Sequence, residues 1–247
     1  MTTAATNRPA EWFFDFVSPF AYLQLEQFDK LPRGLRIEPR PMLLGAVLSH
    51  WGQKGPAEIA GKRVFTYRHA LHRAQRLGIA YCMPPAHPFN PVKALRLAIA
   101  MGNSLDVISS IFRYIWREGR DVGSPDGFAA LCEAMDYPEG LHAVEAPAVK
   151  NALRENTDRA ISLRVFGAPT FVLDGDLFWG EDATDLFIDC VASHDWLDSA
   201  EVRRVSSLPV GVQRSAESAP AGPASNGASN AAANAAASPS ASTSASA

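Results

Sequence analysis

The chain has 247 residues, 47% of them apolar, and a formal net charge of −3. Its length accommodates one large domain or two small ones. Lys and Arg are scattered, which argues against nucleic-acid binding. No apolar run reaches the roughly 18–20 residues of a membrane-spanning helix. Because residues 1–8 lack the apolar core of a signal peptide, we expect a cytoplasmic protein that does not insert into membranes.

Three cysteines, Cys82, Cys132 and Cys190, lie at least 50 residues apart. An odd number without a CxxC pair argues against a disulfide framework and against a zinc site. His69 and His72 are three residues apart, but no third ligand lies nearby in the sequence. We therefore predict no metal and expect the thiols to be buried and inert.

The first elements form a strand–helix–strand unit. The aromatic run Trp12–Phe16 predicts a buried strand. Ser18 followed by Pro19 is typical of a helix start, and the helix should run to about residue 29. Leu35–Pro39 predicts a second strand. This spacing is typical of a right-handed parallel crossover.

The middle of the chain predicts helices only. Their starts carry proline or serine signals, and their interiors carry apolar residues at helical spacing. The predicted helices are 56–77, 92–101, 105–118, 125–135 and 147–165.

The last part predicts a hairpin and a helix. Pro169–Leu173 is β-rich, Asp174-Gly175 is a hairpin turn signal, and Leu177–Trp179 pairs back. Asp182 is the predicted cap of the closing helix. The order β-α-β, helices, β-β-α is the α/β thioredoxin-like arrangement with an all-helical domain inserted between the second and third strands.

This order predicts domain boundaries. Residues 10–42 and 161–205 form the two parts of the thioredoxin-like domain, and residues 43–160 form the inserted helical domain. Residues 206–247 are a predicted disordered tail, because from Ser218 onward the chain contains only Ala, Ser, Asn, Pro, Gly and Thr.

Ser18 is the first candidate for chemistry. It lies where thioredoxins carry their CxxC motif, but the four residues here are Ser-Pro-Phe-Ala, so no disulfide can form. The N-terminus of a helix stabilises an anion and lowers the pKa of a thiolate. A thiol supplied by another molecule would fit this position. The alternative is that Ser18 is only an N-cap, worth about 1 kcal/mol.

Two later segments are candidates for the same site. The Gly167–Thr170 step predicts a cis Pro169, which would leave the N–H and C=O of Ala168 unpaired toward Ser18. An ordinary trans proline at a strand start is the alternative. After Trp179, the first N–H groups of a helix could receive a carboxylate, and Asp182 could pair with an ammonium group. Here the alternative is a plain capped helix.

Together these segments resemble the 2-hydroxychromene-2-carboxylate isomerases, which are relatives of kappa-class glutathione transferases and of DsbA-type proteins. The resemblance covers about residues 12–191. It is carried by DFVSPFAYL, HWGQKGPAEIAGKR, HPFNPVKALRLA, IWREG and FGAPTFVLDGDLFWGED.

The resemblance implies glutathione as cofactor and Ser18 as the catalytic residue that positions its sulfur. It implies that Ala168 pairs with the cysteinyl backbone, next to the structural cis-proline Pro169. It further implies that the γ-glutamyl end is held by a segment of four residues, Trp179, Gly180, Glu181 and Asp182. A serine without an adjacent base is a poor nucleophile, so we expect Ser18 to act as a hydrogen-bond donor to the thiolate.

The implied reaction is an isomerisation. Glutathione thiolate adds to the chromene ring, the ring opens, a bond rotates, and elimination gives the trans-benzylidenepyruvate product. Candidate residues for binding the aromatic carboxylate are Lys62, Phe89 and Asn90. Relatives of the kappa type also imply a homodimer.

The chain departs from the family pattern in two places. Leu48 and Ile59 stand where the naphthalene-pathway members carry basic residues, and Glu181 and Ala183 replace residues common after the Trp-Gly step. Three alternatives stay open: a kappa-like transferase that conjugates electrophiles, a non-catalytic binding module, and a disulfide oxidoreductase, which the absence of a CxxC motif disfavours.

Overall fold

The computed structural model describes residues 9–212. Four strands form one mixed sheet in the order β2-β1-β3-β4. β1 pairs parallel with β2 and antiparallel with β3, and β3 pairs antiparallel with β4. The strands are β1 (Ala10–Phe14), β2 (Ile37–Pro41), β3 (Thr170–Leu173) and β4 (Asp176–Trp179). The predicted thioredoxin-like arrangement is confirmed.

The helices fall between and after these strands. They are α1 (Pro19–Leu25), α2 (Leu44–His50), α3 (Ala60–Leu77), α4 (Val92–Ala100), α5 (Leu105–Trp116), α6 (Pro125–Ala134), α7 (Gly140–Ala143), α8 (Pro147–Ser162), α9 (Thr184–Ala192) and α10 (Ala200–Ser206). Within the described residues, no helix is both long enough and apolar enough to cross a membrane.

Several helix ends differ from the prediction. α1 ends at Leu25, before a separate 3-10 turn at Phe28–Lys30, so it is shorter than expected. Asp182 does not cap α9. It lies in the 3-10 turn Glu181–Ala183, and the cap position is Ala183.

An aromatic core holds the sheet and the inserted helices together. Trp12 of β1 stacks on Phe14, with ring centroids 4.4 Å apart, and Phe16 lies 4.6 Å from Phe112 of α5. These rings are fully buried. The indole N–H of Trp12 also donates to Gln24 of α1 at 2.7 Å. The core therefore connects β1 to α1 and to α5.

The described residues up to Arg203 form one compact unit, and the described residues 204–212 do not belong to it. The boundaries at residues 42 and 160 stay predictions. The predicted tail lies outside the described residues from residue 213 onward.

Candidate active site

The loop between β1 and α1 is shaped by a buried carboxyl group. One oxygen of Asp15 accepts the N–H of Val17 at 3.0 Å, and the other accepts the N–H of Leu44 at 2.9 Å. Asp15 thus connects the β1–α1 loop to the start of α2. Burial raises the pKa of Asp15 to about 7, although both hydrogen bonds oppose the shift.

Ser18 follows as the N-cap of α1. Its backbone is extended, with φ −91° and ψ 114°, and its Oγ accepts the N–H of Ala21 at 3.3 Å. The hydroxyl also donates to the C=O of Ala168 at 3.3 Å. Ser18 is 6% exposed. The helix start and the late loop, 150 residues apart in sequence, therefore meet at one hydroxyl group.

The Ala168–Pro169 peptide bond is cis in the structure. One detail of the prediction is wrong: the C=O of Ala168 is not unpaired, because it accepts the Ser18 hydroxyl. Within residues 9–212, no hydrogen bond is formed by the Ala168 N–H. That N–H is the backbone donor left for a ligand beside Ser18.

The loop after β4 joins the same region. The N–H of Gly180 donates to the C=O of Pro169 at 2.9 Å. Gly180 has φ +101°, a conformation that disfavours other residues. Trp179 is 54% exposed, and its ring lies 5.2 Å from that of Phe166. The predicted Ser18, Ala168 and Gly180 segments are thus contiguous.

Glu181 lies in a buried polar network. Its carboxylate accepts two hydrogen bonds from Arg73 of α3, at 2.8 and 3.0 Å, and one from Gln27 at 2.7 Å. The hydrogen bonds between Arg73 and Glu181 raise the pKa of Arg73. Both oxygens of Glu181 are therefore occupied within the protein. This differs from the expectation that Glu181 contacts glutathione directly, and sequence reasoning found neither Arg73 nor Gln27.

A polar cavity of about 290 Å³ adjoins this network. Groups of both charge signs line it. They include Lys30, Arg73 and Arg76 as cations, and Asp182 and Asp185 as acids. Such a mixture matches a zwitterionic ligand group.

An apolar cavity of about 250 Å³ reaches Ser18 and Ala168. Phe89 lies in its wall, as expected for a ring-binding residue. The other two predicted substrate residues do not line it. Lys62 is exposed on α3, and the Asn90 side chain accepts the N–H of Val92 at 3.1 Å, at the start of α4.

His87 is a further residue of this wall that the sequence did not identify. Its Nε2 lies 2.8 Å from the C=O of Val17, and its Nδ1 lies 2.9 Å from the hydroxyl of Tyr67. Burial lowers the pKa of His87, which favours a neutral ring. Because Val17 offers an acceptor, Nε2 carries the proton. His87 therefore supports the backbone immediately before Ser18.

Comparisons with known proteins agree with this geometry. A family model described as a DSBA-like thioredoxin domain matches residues 11–192. The 2-hydroxychromene-2-carboxylate isomerase of Pseudomonas putida is 28% identical over 182 residues, which cover 70% of this chain and 88% of that protein. Glutathione S-transferase kappa 1 of Caenorhabditis elegans is 22% identical over 200 residues, 72% of this chain and 88% of that protein.

Solved structures show the same fold. A 2-hydroxychromene-2-carboxylate isomerase superposes with a TM-score of 0.64 and 23% identity, over 79% of this chain and 99% of that chain. Because the family model matches residues 11–192, the predicted family is confirmed: the chain belongs to the DsbA-like thioredoxin family.

Proposed function

We propose that the protein is a glutathione-dependent isomerase of a small conjugated aromatic compound. The observation that carries this proposal is the meeting of the Ser18 hydroxyl with Ala168 at one end of an apolar cavity. The name of the Pseudomonas putida relative supports an isomerase, and the name of the kappa-class relative supports the use of glutathione. The substrate in the name of the Pseudomonas putida relative, 2-hydroxychromene-2-carboxylate, is the first compound to assay.

Glutathione fits the residues that line the two cavities. The Ala168 N–H is an available partner for the cysteinyl backbone. Cations and acids of the polar cavity, Arg76 and Asp182 among them, match the carboxylate and ammonium of the γ-glutamyl end. Trp179 and Gly180 complete the proposed contact segment. Glu181 contributes indirectly by holding Arg73 in place.

When bound, glutathione supplies a thiolate that adds to a conjugated substrate and is later eliminated. The protein's part begins with Ser18. Its hydroxyl donates to Ala168 over 3.3 Å, longer than the usual 2.7–2.8 Å of such bonds. Rotation of this hydroxyl toward sulfur therefore costs little. A hydrogen bond to a charged acceptor contributes about 1.5–3 kcal/mol, which stabilises the thiolate.

The apolar cavity binds the aromatic ring of the proposed substrate and leaves space for the rotation of a bond. Its wall is mainly apolar, which favours burial of an aromatic ring. Phe89 offers a ring face or edge for packing. Rotation about a single bond in the opened substrate needs only space, not a further catalytic group.

A direct assay tests the proposal. The full-length protein is incubated with 2-hydroxychromene-2-carboxylate or its methyl ester, with and without glutathione. We expect isomerisation of at least one compound, with glutathione required and recovered unchanged. If neither compound reacts and calorimetry detects no glutathione binding, the protein is a binding module without this chemistry.

A second candidate is a transferase that conjugates electrophiles, as the name of the kappa-class relatives suggests. It is favoured by the lack of a Lys or Arg among the described residues that line the apolar cavity, because conjugation does not require a substrate carboxylate. Mass spectrometry of the product distinguishes the two: a retained thioether indicates conjugation, and its absence indicates isomerisation.

Two further expectations belong to this proposal. A cytoplasmic location fits an enzyme that draws on the reduced glutathione pool. We also propose a homodimer, as implied by the kappa-class resemblance, which sedimentation of the full-length protein would test.

A further inference from the structure

We infer that the apolar cavity selects an uncharged aromatic ligand and discriminates against the same ligand carrying a carboxylate. This inference names the substrate class of the proposed function. The role of the cavity in catalysis rests on that proposed function.

The cavity wall is built mainly from apolar side chains. Leu44 and Leu48 of α2 form one part, and Pro88 and Phe89 of the loop before α4 form another. Its volume of about 250 Å³ is below the roughly 300–1,000 Å³ of pockets for drug-sized ligands. The cavity therefore suits a small ring system.

The titratable groups in this wall are two acids and a histidine: Asp15, Glu58 and His87. Among the described residues that line the cavity, none is Lys or Arg. Burial lowers the pKa of His87, so the imidazole is a poor cation. No described side chain of this wall thus offers a ligand anion a full positive charge.

The acidic side chains and the imidazole of the wall already form hydrogen bonds within the protein. Glu58 accepts the N–H of Gly55 at 2.8 Å, and both oxygens of Asp15 accept backbone N–H groups. The Nε2–H of His87 donates to the C=O of Val17, and Nδ1 lies 2.9 Å from the Tyr67 hydroxyl, which donates to the C=O of His87. A carboxylate entering here would lose its water and find no free donor in these side chains.

Basic residues that are close to the wall in sequence do not line it. Lys54 precedes Gly55 of the wall, and Lys62 and Arg63 occupy the first turn of α3; all three are exposed. Desolvation of an unpaired carboxylate costs several kcal/mol in a protein interior. An uncharged ring gains roughly 25 cal/mol for each Å² of apolar surface buried. The two effects favour the uncharged ligand.

A matched ligand pair tests this inference without glutathione. Benzylideneacetone and trans-cinnamate have the same heavy-atom skeleton, but only cinnamate is charged at neutral pH. Calorimetric titration of the full-length protein should show benzylideneacetone binding about tenfold or more tightly. Equal binding, tighter binding of cinnamate, or no binding of either compound would overturn the inference.

A substitution in the wall provides the second arm. Leu48→Lys places an ammonium group at the cavity and should improve cinnamate binding relative to benzylideneacetone by about tenfold. The matched control is Leu71→Lys, because Leu71 is 45% exposed on α3 and does not line the cavity. An unchanged ratio in Leu48→Lys, or an equal change in both variants, would contradict the account.

The same samples separate this inference from the proposed function. Titration with glutathione alone tests the latter. If the protein prefers benzylideneacetone but does not bind glutathione, the inference about ligand selectivity stands and the proposed function is wrong. If the protein binds glutathione but prefers cinnamate, the proposed function stands and the inference about ligand selectivity is wrong.

Discussion

The two cavities use their polar groups in opposite ways. In the apolar cavity, Asp15 and His87 are tied to backbone groups, so they shape the wall and leave it without free charge. In the polar cavity, Arg73 and Glu181 pair with each other beside further cations and acids. The apolar cavity thus keeps its polar side chains for its own wall, whereas the polar cavity presents charges of both signs, as the proposed two-ligand reaction requires.

The largest expected effect comes from the polar side. Glu181→Leu leaves Arg73 and Gln27 without their buried partner, so we expect a loss of about 3 kcal/mol in the free energy of unfolding and weaker glutathione binding. Chemical denaturation and calorimetry measure the two quantities. The control is Glu145→Leu, because the Glu145–Lys150 pair is exposed and contributes little. Equal effects in the two variants would mean that the buried network is not structurally important.

Ser18→Ala tests the end of the apolar cavity where the proposed thiolate lies. Removal of the hydroxyl should lower kcat/KM of the glutathione-dependent reaction by about 10- to 100-fold, because the thiolate loses a charge-assisted hydrogen bond. Ser124→Ala is the matched control: Ser124 also caps a helix, accepting the N–H of Gly127 at 3.1 Å, but lies outside the apolar cavity. If both variants lose activity alike, Ser18 acts only as a cap.

Gly180→Ala probes the loop that leads to the polar cavity. An added Cβ would lie 2.4 Å from the Asp182 carboxylate, and φ of +101° strains any residue with a Cβ. We expect a destabilisation of about 1–2 kcal/mol and weaker glutathione binding. The comparison variant Gly61→Ala has open space around its Cβ and should be neutral or slightly stabilising. Thermal unfolding distinguishes the two, and equal stability losses would argue against a strained loop.

The smallest effect is a pH dependence at Asp15. Burial raises the pKa of Asp15 in the folded protein to about 7, whereas the unfolded chain releases this proton near the ordinary carboxyl pKa of 3.8. Burial of the group therefore lowers stability as pH rises between these values. Asp15→Asn loses one N–H acceptor at every pH but avoids the buried charge. Its destabilisation should thus be smaller at about pH 8 than at about pH 5, by roughly 1 kcal/mol or more.

Asp121→Asn is the control for that measurement. Hydrogen bonds, the largest from Ser124, lower the pKa of Asp121. The stability that Asp121 contributes is therefore complete above the pKa of this carboxyl in the unfolded chain. It is lost only as pH falls through the lower pKa of the folded protein. Urea unfolding should show the same deficit for Asp121→Asn at both pH values. A constant deficit for Asp15→Asn as well would contradict the raised pKa.

Local signals explain why much of the fold was predictable. Ser18 and Pro19 mark the start of α1 by cap chemistry, and Asp174-Gly175 marks the turn between β3 and β4. The helix α2 was not predicted. It has seven residues, including Gly45, and its start is fixed by Leu44 donating to Asp15 across 29 residues. A contact of that kind leaves no periodic pattern in the sequence.

The same reason limits the prediction of the site. Arg73 and Glu181 are 108 residues apart, and nothing local to either one indicates the pairing. The Ser18 and Ala168 segments were predictable as candidates for one site because each carries a local pattern. These patterns are the Ser-Pro helix start and the cis-proline step. Lys62 does not line the apolar cavity. Charge and proximity in sequence do not show whether a side chain reaches a cavity.

The central claim is that Ser18 stabilises a bound glutathione thiolate. The most direct measurement is the pKa of the glutathione thiol when bound, from ultraviolet absorption of the thiolate across a pH titration. The account predicts a value clearly below the roughly 8.5 of a free thiol, with a partial return toward it in Ser18→Ala and none in Ser124→Ala. A bound thiol with an unshifted pKa, or one equally lowered in Ser18→Ala, would contradict it.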